Sequence, residues 1–189
     1  MLKKVFLLFL GVALFYSCQS ARPIKRLTND SIMYAMIYDF DNTPVNAVSV
    51  YINGRMVVDS DIQGRFILDN MRTGEYTVRL EKRGYELLEE TFYFDPMQVL
   101  YFKMINTSQL VALAETALEN SEFSAAEVYI NRALVLEPGR PDILYLKSIA
   151  CYLQGRNAEA ADILENLIRS GNTNNAIIQL LEIIRQRQE

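Results

Sequence analysis

Residues 123–138 read FSAAEVYINRALVLEP, and residues 157–172, which lie 34 positions later, read NAEAADILENLIRSGN. Apolar and small residues coincide between the two stretches at this constant step. The coinciding positions are Ala126 and Ala160, Ile130 and Leu164, Ala133 and Leu167, and further upstream Leu110 and Leu144. A fixed period of this length predicts stacked copies of one helical hairpin, each burying a face against the next.

Both stretches resemble the tetratricopeptide repeat, whose period is 34 residues. Pro138 stands where the family ends a helix, because proline supplies no amide donor for the next turn. The resemblance implies that residues 107–189 form two repeats and a C-terminal cap helix, which follows the first-helix register of a third repeat and then stops. The helices are expected at 108–120, 123–136, 141–154, 157–170 and 175–188.

In this family the first helices of the repeats line a groove in which ligands bind. Carried over residue by residue, the candidate partner-binding residues are Val111, Glu115, Leu118, Asp142, Tyr145, Ile149 and Tyr152. Tyrosine is enriched at interface hot spots, so this set suits a bound peptide or helix. The alternative is that the cap helix or the preceding domain of the same chain covers this face.

Residues 31–106 show the period-two pattern of a small β domain, with turn signals every eight to twelve residues. Asn53-Gly54 predicts a tight hairpin, because a type I′ turn needs positive φ at both central residues. The strands are expected at 33–38, 47–52, 55–58, 65–68, 75–81, 87–94 and 99–105.

Four short segments of this domain carry a second resemblance. They are PVNAVSV at 44–50, DSDIQGRF at 59–66, GEYTV at 74–78 and GY at 84–85. Their order is similar to the carboxypeptidase regulatory-like domain, which implies a seven-stranded, antiparallel, transthyretin-like sandwich without catalytic residues. The PEGA-type domain, which shares Asn53-Gly54 and the later Gly-Tyr, is the alternative. The expected fold is therefore α+β in two domains, a small seven-stranded antiparallel β-sandwich followed by the helical array.

The N-terminus resembles a bacterial lipoprotein signal. Two lysines, Lys3 and Lys4, precede an apolar run at 5–16, and Ser17 precedes Cys18. The resemblance implies cleavage before Cys18, acylation of that cysteine and a flexible tether at 19–30, which would hold the protein at a membrane facing the periplasm or the cell surface. An uncleaved anchor is the alternative, but spanning a bilayer takes ~20 apolar residues.

Composition argues against several function classes. The net charge of −4 disfavours nucleic acid as a partner, since phosphate binding needs a basic face. The chain has no histidine, which removes the commonest general base and metal ligand. Cys151 is expected in the core, and Asp39, Asp41, Asp59 and Asp61 are expected to cap turns rather than bind calcium. No catalytic residue, metal ligand or cofactor is therefore expected.

Two functions follow from these patterns. The first is a membrane-anchored, non-enzymatic adaptor or scaffold of the cell envelope that binds a protein through its repeats. The alternative is an envelope carbohydrate- or peptidoglycan-binding module that uses the sandwich. The alternative would be favoured if the strand tyrosines clustered at one edge of the sandwich, although strand alternation should bury some of them. Those tyrosines are Tyr34, Tyr51, Tyr76 and Tyr93.

The joint between the two domains is short. Only Asn106 and Thr107 separate the last expected strand from the first expected helix, and Thr107 or Ser108 is expected to cap that helix. A joint of this length predicts direct packing of the sandwich on the first helical pair, with Leu110 and Leu113 sharing the buried surface.

Overall fold

Seven strands precede five helices in the computed structural model, which describes residues 31–187. The strands are β1 (Ser31–Asp39), β2 (Ser49–Ile52), β3 (Arg55–Asp59), β4 (Arg65–Met71), β5 (Gly74–Glu81), β6 (Leu88–Phe94) and β7 (Val99–Met104). The helices are α1 (Thr107–Glu119), α2 (Phe123–Leu136), α3 (Pro141–Leu153), α4 (Asn157–Arg169) and α5 (Asn175–Gln186). The predicted anchor at Cys18 and the tether at 19–30 lie outside the described residues.

The strands form two sheets with buried faces towards a shared core. The order is β4-β1-β7 in the three-stranded sheet and β3-β2-β5-β6 in the four-stranded sheet. The expected α+β class with a two-sheet β part is confirmed. The expectation of a wholly antiparallel sandwich is wrong, because β1 and β7 pair in parallel, with Tyr34 opposite Val99 and Asp39 opposite Met104.

This parallel pairing has a topological cause and a consequence. The strand before β7 is β6, which belongs to the other sheet, so the chain crosses between the sheets before β7 pairs with β1. Parallel neighbours need such a crossover, because a short hairpin joins only antiparallel strands. Residue Ser31 therefore lies at one end of the three-stranded sheet, and Met104 lies at the other. The nine residues of β1 span about 26 Å between these ends.

The tight hairpin between β2 and β3 forms as the sequence predicts. Asn53 and Gly54 have φ of 50° and 76°, and Ile52 is opposite Arg55. Asn53 also accepts a hydrogen bond at Oδ1 from the amide of Thr77 on β5 (3.0 Å). The turn thus has the φ values that a type I′ hairpin needs, and it also supplies a hydrogen-bond acceptor to the neighbouring strand β5.

The sandwich core is aliphatic and aromatic. Ile37, Val78, Leu80 and Phe94 are fully buried. Phe102 of β7 stacks on Phe66 of β4, with ring centroids 6.1 Å apart, and meets Phe92 of β6 edge-on at 5.8 Å. Because β6 and β7 belong to different sheets, the Phe92–Phe102 contact joins the two layers across the core.

Helix α1 begins at a different cap from the one expected. Asn106, not Thr107 or Ser108, is the N-cap: its Oδ1 accepts a hydrogen bond from the amide of Gln109 (2.9 Å), and the Gln109 side chain accepts one from the amide of Asn106 (3.2 Å). This reciprocal capping box satisfies two amides at once, whereas a hydroxyl at Thr107 would satisfy one. Thr107 instead donates its amide hydrogen to the carbonyl of Gly84 (3.0 Å).

The helices pack as successive neighbours, and residues 34 apart occupy matching buried positions. Ala126, Ile130 and Ala133 on α2 are fully buried, and so are Ala160 and Leu164 on α4. The side chains divide between two clusters, one around Leu110, Ile130 and Ile143 and the other around Cys151, Leu164 and Ile184. Helix α3 contributes to both clusters, so each helical pair is covered by the next one.

The joint between the sandwich and the helices is held by polar contacts and one apolar contact. Ile105, which follows β7, belongs to the same cluster as Leu110 of α1. Arg132 of α2 donates two hydrogen bonds to Glu86, at 2.7 and 2.6 Å, and this partner raises the pKa of the Arg132 guanidinium. Gln109 donates to the carboxylate of Asp41 (2.6 Å).

The described residues, 31–187, accordingly belong to one compact unit. One detail of the expected joint is wrong. Leu113 does not share the buried surface with Leu110 but remains 38% exposed. It lines an open cleft with Phe40 of the loop after β1, because that loop approaches α1 without covering it.

Candidate functional site

The candidate partner-binding residues lie on α1 and α3 in matching registers, and we call them the first-helix row. On α1, Val111 and Leu118 are half-buried against the first helical cluster, while Glu115 is exposed. The 34-residue step takes these three positions to Tyr145, Ile149 and Tyr152 on α3, which are all half-buried. Asp142, one turn before Tyr145, is exposed.

Helix α5 borders the first-helix row and covers part of it. Arg187, just past the end of α5, places its guanidinium carbon 5.2 Å from the centroid of the Tyr152 ring. Tyr145 and Asp142 line a cleft of about 570 Å³ together with Asn174 and Ile177 from the start of α5. None of the seven residues is fully buried, but Tyr145 and Tyr152 pack part of their surface against the apolar cluster that includes Ile177 and Ile184 of α5.

Asp142 is not an unpaired charge. Arg140 donates two hydrogen bonds to its carboxylate, each of 2.9 Å. This contact raises the pKa of the Arg140 guanidinium, with a further contribution from Glu137. The cleft at this end of the row is therefore lined by aromatic, amide and apolar groups together with one neutralised carboxylate.

Sequence reasoning missed one member of the row. Ile183 of α5 lies 34 residues after Ile149 and is exposed. The repeat period itself contained the signal that places Ile183 in line with Ile149. Arg187, in contrast, could not have been assigned to Tyr152 from spacing, since it lies beyond the end of the helix.

Two of the four aspartates, Asp39 and Asp61, cap turns as predicted, whereas Asp41 accepts a hydrogen bond from the side chain of Gln109 and Asp59 accepts one from the hydroxyl of Ser49. Asp39 accepts hydrogen bonds from the amides of Asp41 and Thr43, both 2.9 Å. Asp61 accepts from the amides of Gln63 and Arg65 (2.8 and 2.9 Å), and the bond from the Arg65 amide is the main reason that its pKa is lowered. Within residues 31–187, no cluster of three or more acidic, cysteine or histidine side chains could hold a metal ion.

Cys151 lies in the helical core, as expected. Its side chain is fully buried, and burial raises the pKa of the thiol, with a smaller contribution from the charge of Glu159. Nucleophilic cysteines need a lowered thiol pKa and access to the substrate. Both features argue for a packing role at this position.

The four strand tyrosines named as a test of carbohydrate binding do not lie together. Tyr34 is on the outer face of the three-stranded sheet, whereas Tyr51 and Tyr93 are on the outer face of the four-stranded sheet. Tyr76 packs against the sandwich core, edge-on to Phe94. The cluster that would have favoured this function is therefore not formed by these residues.

Among residues 31–187, no helix combines the length and the apolar character needed to cross a membrane. No protein-family model matches the sequence. No curated protein matches it either.

Three solved structures are weakly similar to parts of the chain. They are 3-chlorocatechol 1,2-dioxygenase from Rhodococcus opacus 1CP (13% identity, TM-score 0.35), the Bacillus anthracis TIE protein (17%, 0.36) and a streptococcal ancillary pilin (20%, 0.36). Each covers 41% of this chain, and the chain spans 59%, 17% and 30% of their respective lengths. Similarities of this size do not assign a function.

Proposed function

We propose that this protein is a membrane-anchored, non-enzymatic adaptor of the bacterial cell envelope that binds a partner protein through two tetratricopeptide repeats. One observation carries the proposal: a row of aromatic and aliphatic side chains on α1 and α3 stays accessible in the folded unit. In this row Tyr145, Ile149 and Tyr152 are half-buried, and Tyr145 lines a cleft of about 570 Å³.

The repeat assignment is supported by the equivalence of residues 34 apart. Ala126 and Ala160 are both fully buried, and they allow close approach where a larger side chain would separate the helices. Two repeats and a cap are a short array, and such units rarely suffice without a further covering element. The sandwich contacts the first helical pair through the ion pair of Arg132 with Glu86 and through Ile105, which belongs to the same apolar cluster as Leu110.

The anchor is supported by the pattern that ends at Cys18 and by the way the sandwich is connected. Ser31, where the predicted tether joins, and Met104, which leads to the helices, lie at opposite ends of the three-stranded sheet. A sandwich built in this way acts as a spacer of about 26 Å between the two connections.

A non-enzymatic role is supported by the chemistry of the chain. The sequence has no histidine, and the thiol of Cys151 is buried with a raised pKa. Activation of a serine or cysteine nucleophile usually needs an adjacent general base. The function proposed here needs only contact surfaces.

Site-specific photocrosslinking in the cells of origin tests the adaptor function. A photoreactive phenylalanine derivative is placed at Ile149 in the first-helix row and, as a control, at Val135, an exposed position on α2 outside the row. We expect one defined protein adduct from position 149 and none from position 135. Tyr145→Ala combined with Tyr152→Ala in the same chain should abolish the adduct, and equal adducts from both positions would contradict the proposal.

A separate experiment tests the anchor. Cys18→Ser removes the acylation site, and because the acyl chains supply the membrane affinity, the variant should leave the detergent phase in a phase-partition assay. A Cys151→Ser variant is the matched control, since it removes the other cysteine of the chain and should partition like the wild type. Full retention of Cys18→Ser in the detergent phase, with unchanged processing, would refute the lipoprotein assignment.

A further inference from the structure

The outer face of the three-stranded sheet is unusually apolar for a surface. Ile32, Ile67 and Val99, one from each strand, are exposed there, with Ile67 at 51%. Tyr34 lies between Ile67 and Val99 in the register of the sheet. Continuous apolar patches on a soluble protein commonly mark an interaction site, whereas single exposed apolar residues need no explanation.

Apolar character on this face is graded along the strands. The three aliphatic side chains lie near the end where β1 begins, and Met97, in the turn that leads into β7, is 92% exposed at the same end. Tyr101 follows towards the middle, 66% exposed, and stacks on Tyr38 with ring centroids 6.4 Å apart. Lys103 lies at the other end, near the helices.

This order of side chains corresponds to the layers of a membrane surface. Aliphatic groups are stable at the acyl boundary, tyrosine is enriched where one end of the ring is apolar and the other wet, and lysine keeps its ammonium group in water. The charged side chains of β4 on this face are Asp69, two residues beyond Ile67, and Arg65, two residues before it, which pairs with Asp61. The carboxylate of Asp69 limits the depth to which the sheet could enter the headgroup layer.

The length of the chain that precedes the sheet indicates which surface this apolar face could contact. Twelve residues, 19–30, separate Cys18 from Ser31, and an extended chain covers at most ~3.3–3.6 Å per residue. An acylated Cys18 would therefore hold the start of β1 within about 40 Å of the bilayer. The most apolar end of the face is also the end at which this segment joins.

We propose that the outer face of the three-stranded sheet, led by Ile32, Ile67, Val99 and Met97, rests on the lipid surface to which the chain is anchored. This inference depends on the acylation of Cys18 proposed above. Its consequence is a defined orientation: the Ser31 end of the sheet contacts the lipid, and the helical region begins at the opposite end of the sheet.

Two methionines of the chain provide a built-in test. Met97 is 92% exposed in the turn that leads into β7, at the Ser31 end of the three-stranded sheet, and Met56 is 51% exposed on the four-stranded sheet. The full-length acylated protein is inserted into preformed phosphatidylcholine vesicles at no more than one copy per vesicle, and flotation confirms attachment. A membrane-impermeant oxidant is then added, and the sulfoxide at each methionine is followed by mass spectrometry.

We expect Met97 to be oxidised at about one-third of the rate of Met56 or less, the reverse of the order that their exposure predicts. Ile67→Asp combined with Val99→Asp should restore the order of exposure, because a carboxylate at these positions would oppose contact with lipid. Tyr93→Asp, an equally exposed change on the other sheet, should leave the wild-type order. Thermal melts establish that each variant is folded, and Tyr101→Asp serves as a second face variant should the pair unfold.

The possible failures are distinguishable. A protein that does not float with vesicles refutes the anchor and this inference with it. A protein that floats while Met97 oxidises faster than Met56 leaves the anchor intact and refutes the lipid contact. Protection that persists in the Asp variants, or that grows with the number of copies per vesicle, assigns the face to another contact or to a second copy. Since only protein and lipid are present, protection in this system excludes a glycan as its cause.

Discussion

The outer faces of the two sheets differ in chemistry although they belong to one sandwich. On the four-stranded sheet the outward side chains are largely charged or hydroxylated, and Arg79 lies 5.6 Å over the ring of Tyr51. A hydrogen bond to Glu81 and the charge of that carboxylate raise the pKa of the Tyr51 phenol. On the three-stranded sheet the outward positions carry branched aliphatics and tyrosines such as Ile67 and Tyr101.

The strand sequences explain this difference. β5 reads GEYTVRLE and alternates between polar and apolar residues, as expected for a strand with one face in water. β1 reads SIMYAMIYD, a nearly continuous apolar run typical of strands that are buried on both sides. Within residues 31–187 only one side of β1 is covered. The sequence of β1 therefore suits a second apolar surface, which the described fold itself does not supply.

The largest expected effect is a difference in the free energy of unfolding between substitutions on the inner and the outer side of the three-stranded sheet. Ile37→Ala should lower the free energy of unfolding by about 2–5 kcal/mol, because Ile37 is fully buried and its loss leaves a cavity. Ile67→Ala, on the outer side, should cost less than about 1 kcal/mol. Urea unfolding of the full chain measures both. Similar losses would show that the outer face supports the fold rather than a contact.

A second experiment compares one glycine at each sheet. Gly64 has φ of +71°, and a Cβ there would lie 2.4 Å from the carbonyl oxygen of Ile37. Gly54 has φ of +76°, but a Cβ at that position would meet no other atom within 4 Å. Gly64→Ala should therefore destabilise by roughly 2 kcal/mol or more, through both strain and crowding, and Gly54→Ala by about 1–2 kcal/mol through strain alone.

Thermal melts of the two glycine variants would check this difference. Equal shifts in melting temperature would mean that the β4 edge of the three-stranded sheet can move away from β1. In that case the apolar outer face would be a pliable surface rather than a rigid one.

A third experiment compares an ion pair at the joint with one on the polar face. Arg132 holds Glu86 through two hydrogen bonds between the helices and the sandwich, whereas Arg79 pairs with Glu81 on one strand. Arg132→Ala should cost about 1 kcal/mol and Arg79→Ala less than about 0.5 kcal/mol, since Arg132 makes two hydrogen bonds to its carboxylate and Arg79 makes one. Raising the salt concentration should reduce both effects. A larger loss of stability for Arg79→Ala than for Arg132→Ala would contradict a stabilising role of the Arg132–Glu86 pair at the joint.

The smallest effect is expected from pH. The pKa of Asp61 is lowered in the folded chain, so its contribution to stability is present above the unfolded pKa of about 4 and is lost as the pH falls through the folded value. Asp61→Asn should therefore flatten the fall in stability below about pH 4. Asp95→Asn, which changes a carboxylate in a turn of the other sheet's edge strand, is the control. The free energy of unfolding of each variant is measured from pH 2 to 6. If Asp61→Asn loses stability with falling pH as steeply as the wild type, the lowered pKa of Asp61 does not contribute to acid stability.

Much of the fold could be predicted because its signals are local. The hairpin at Asn53-Gly54 depends on two adjacent residues, and each amphipathic helix shows its period within one segment. The 34-residue step located the first-helix row, and it could also have included Ile183. The anchor at Cys18 is likewise a sequence pattern, and it stays a prediction because it lies outside the described residues.

Other features depended on residues far apart in the chain. Capping by Asn106 was missed because Asn, Thr and Ser are adjacent at 106–108 and each is a good cap. The contact of Glu86 with Arg132 joins the loop between β5 and β6 to the second helix across 46 positions. Neither segment contains a pattern that identifies the other as its partner. The tyrosine pair Tyr38 and Tyr101 likewise meets only because β1 and β7 are neighbours.

The α+β class, the order of strands and helices, the main turns and the repeat period can be predicted from the chain, because these depend on the periodicity of neighbouring residues. Three features become visible only in the folded molecule: β1 and β7 run in parallel, the two connections of the sandwich lie at opposite ends, and one sheet face carries exposed apolar side chains. Strand direction and register depend on the packing of all seven strands at once. The alternation within any single strand fits several such arrangements, and the shared core selects among them.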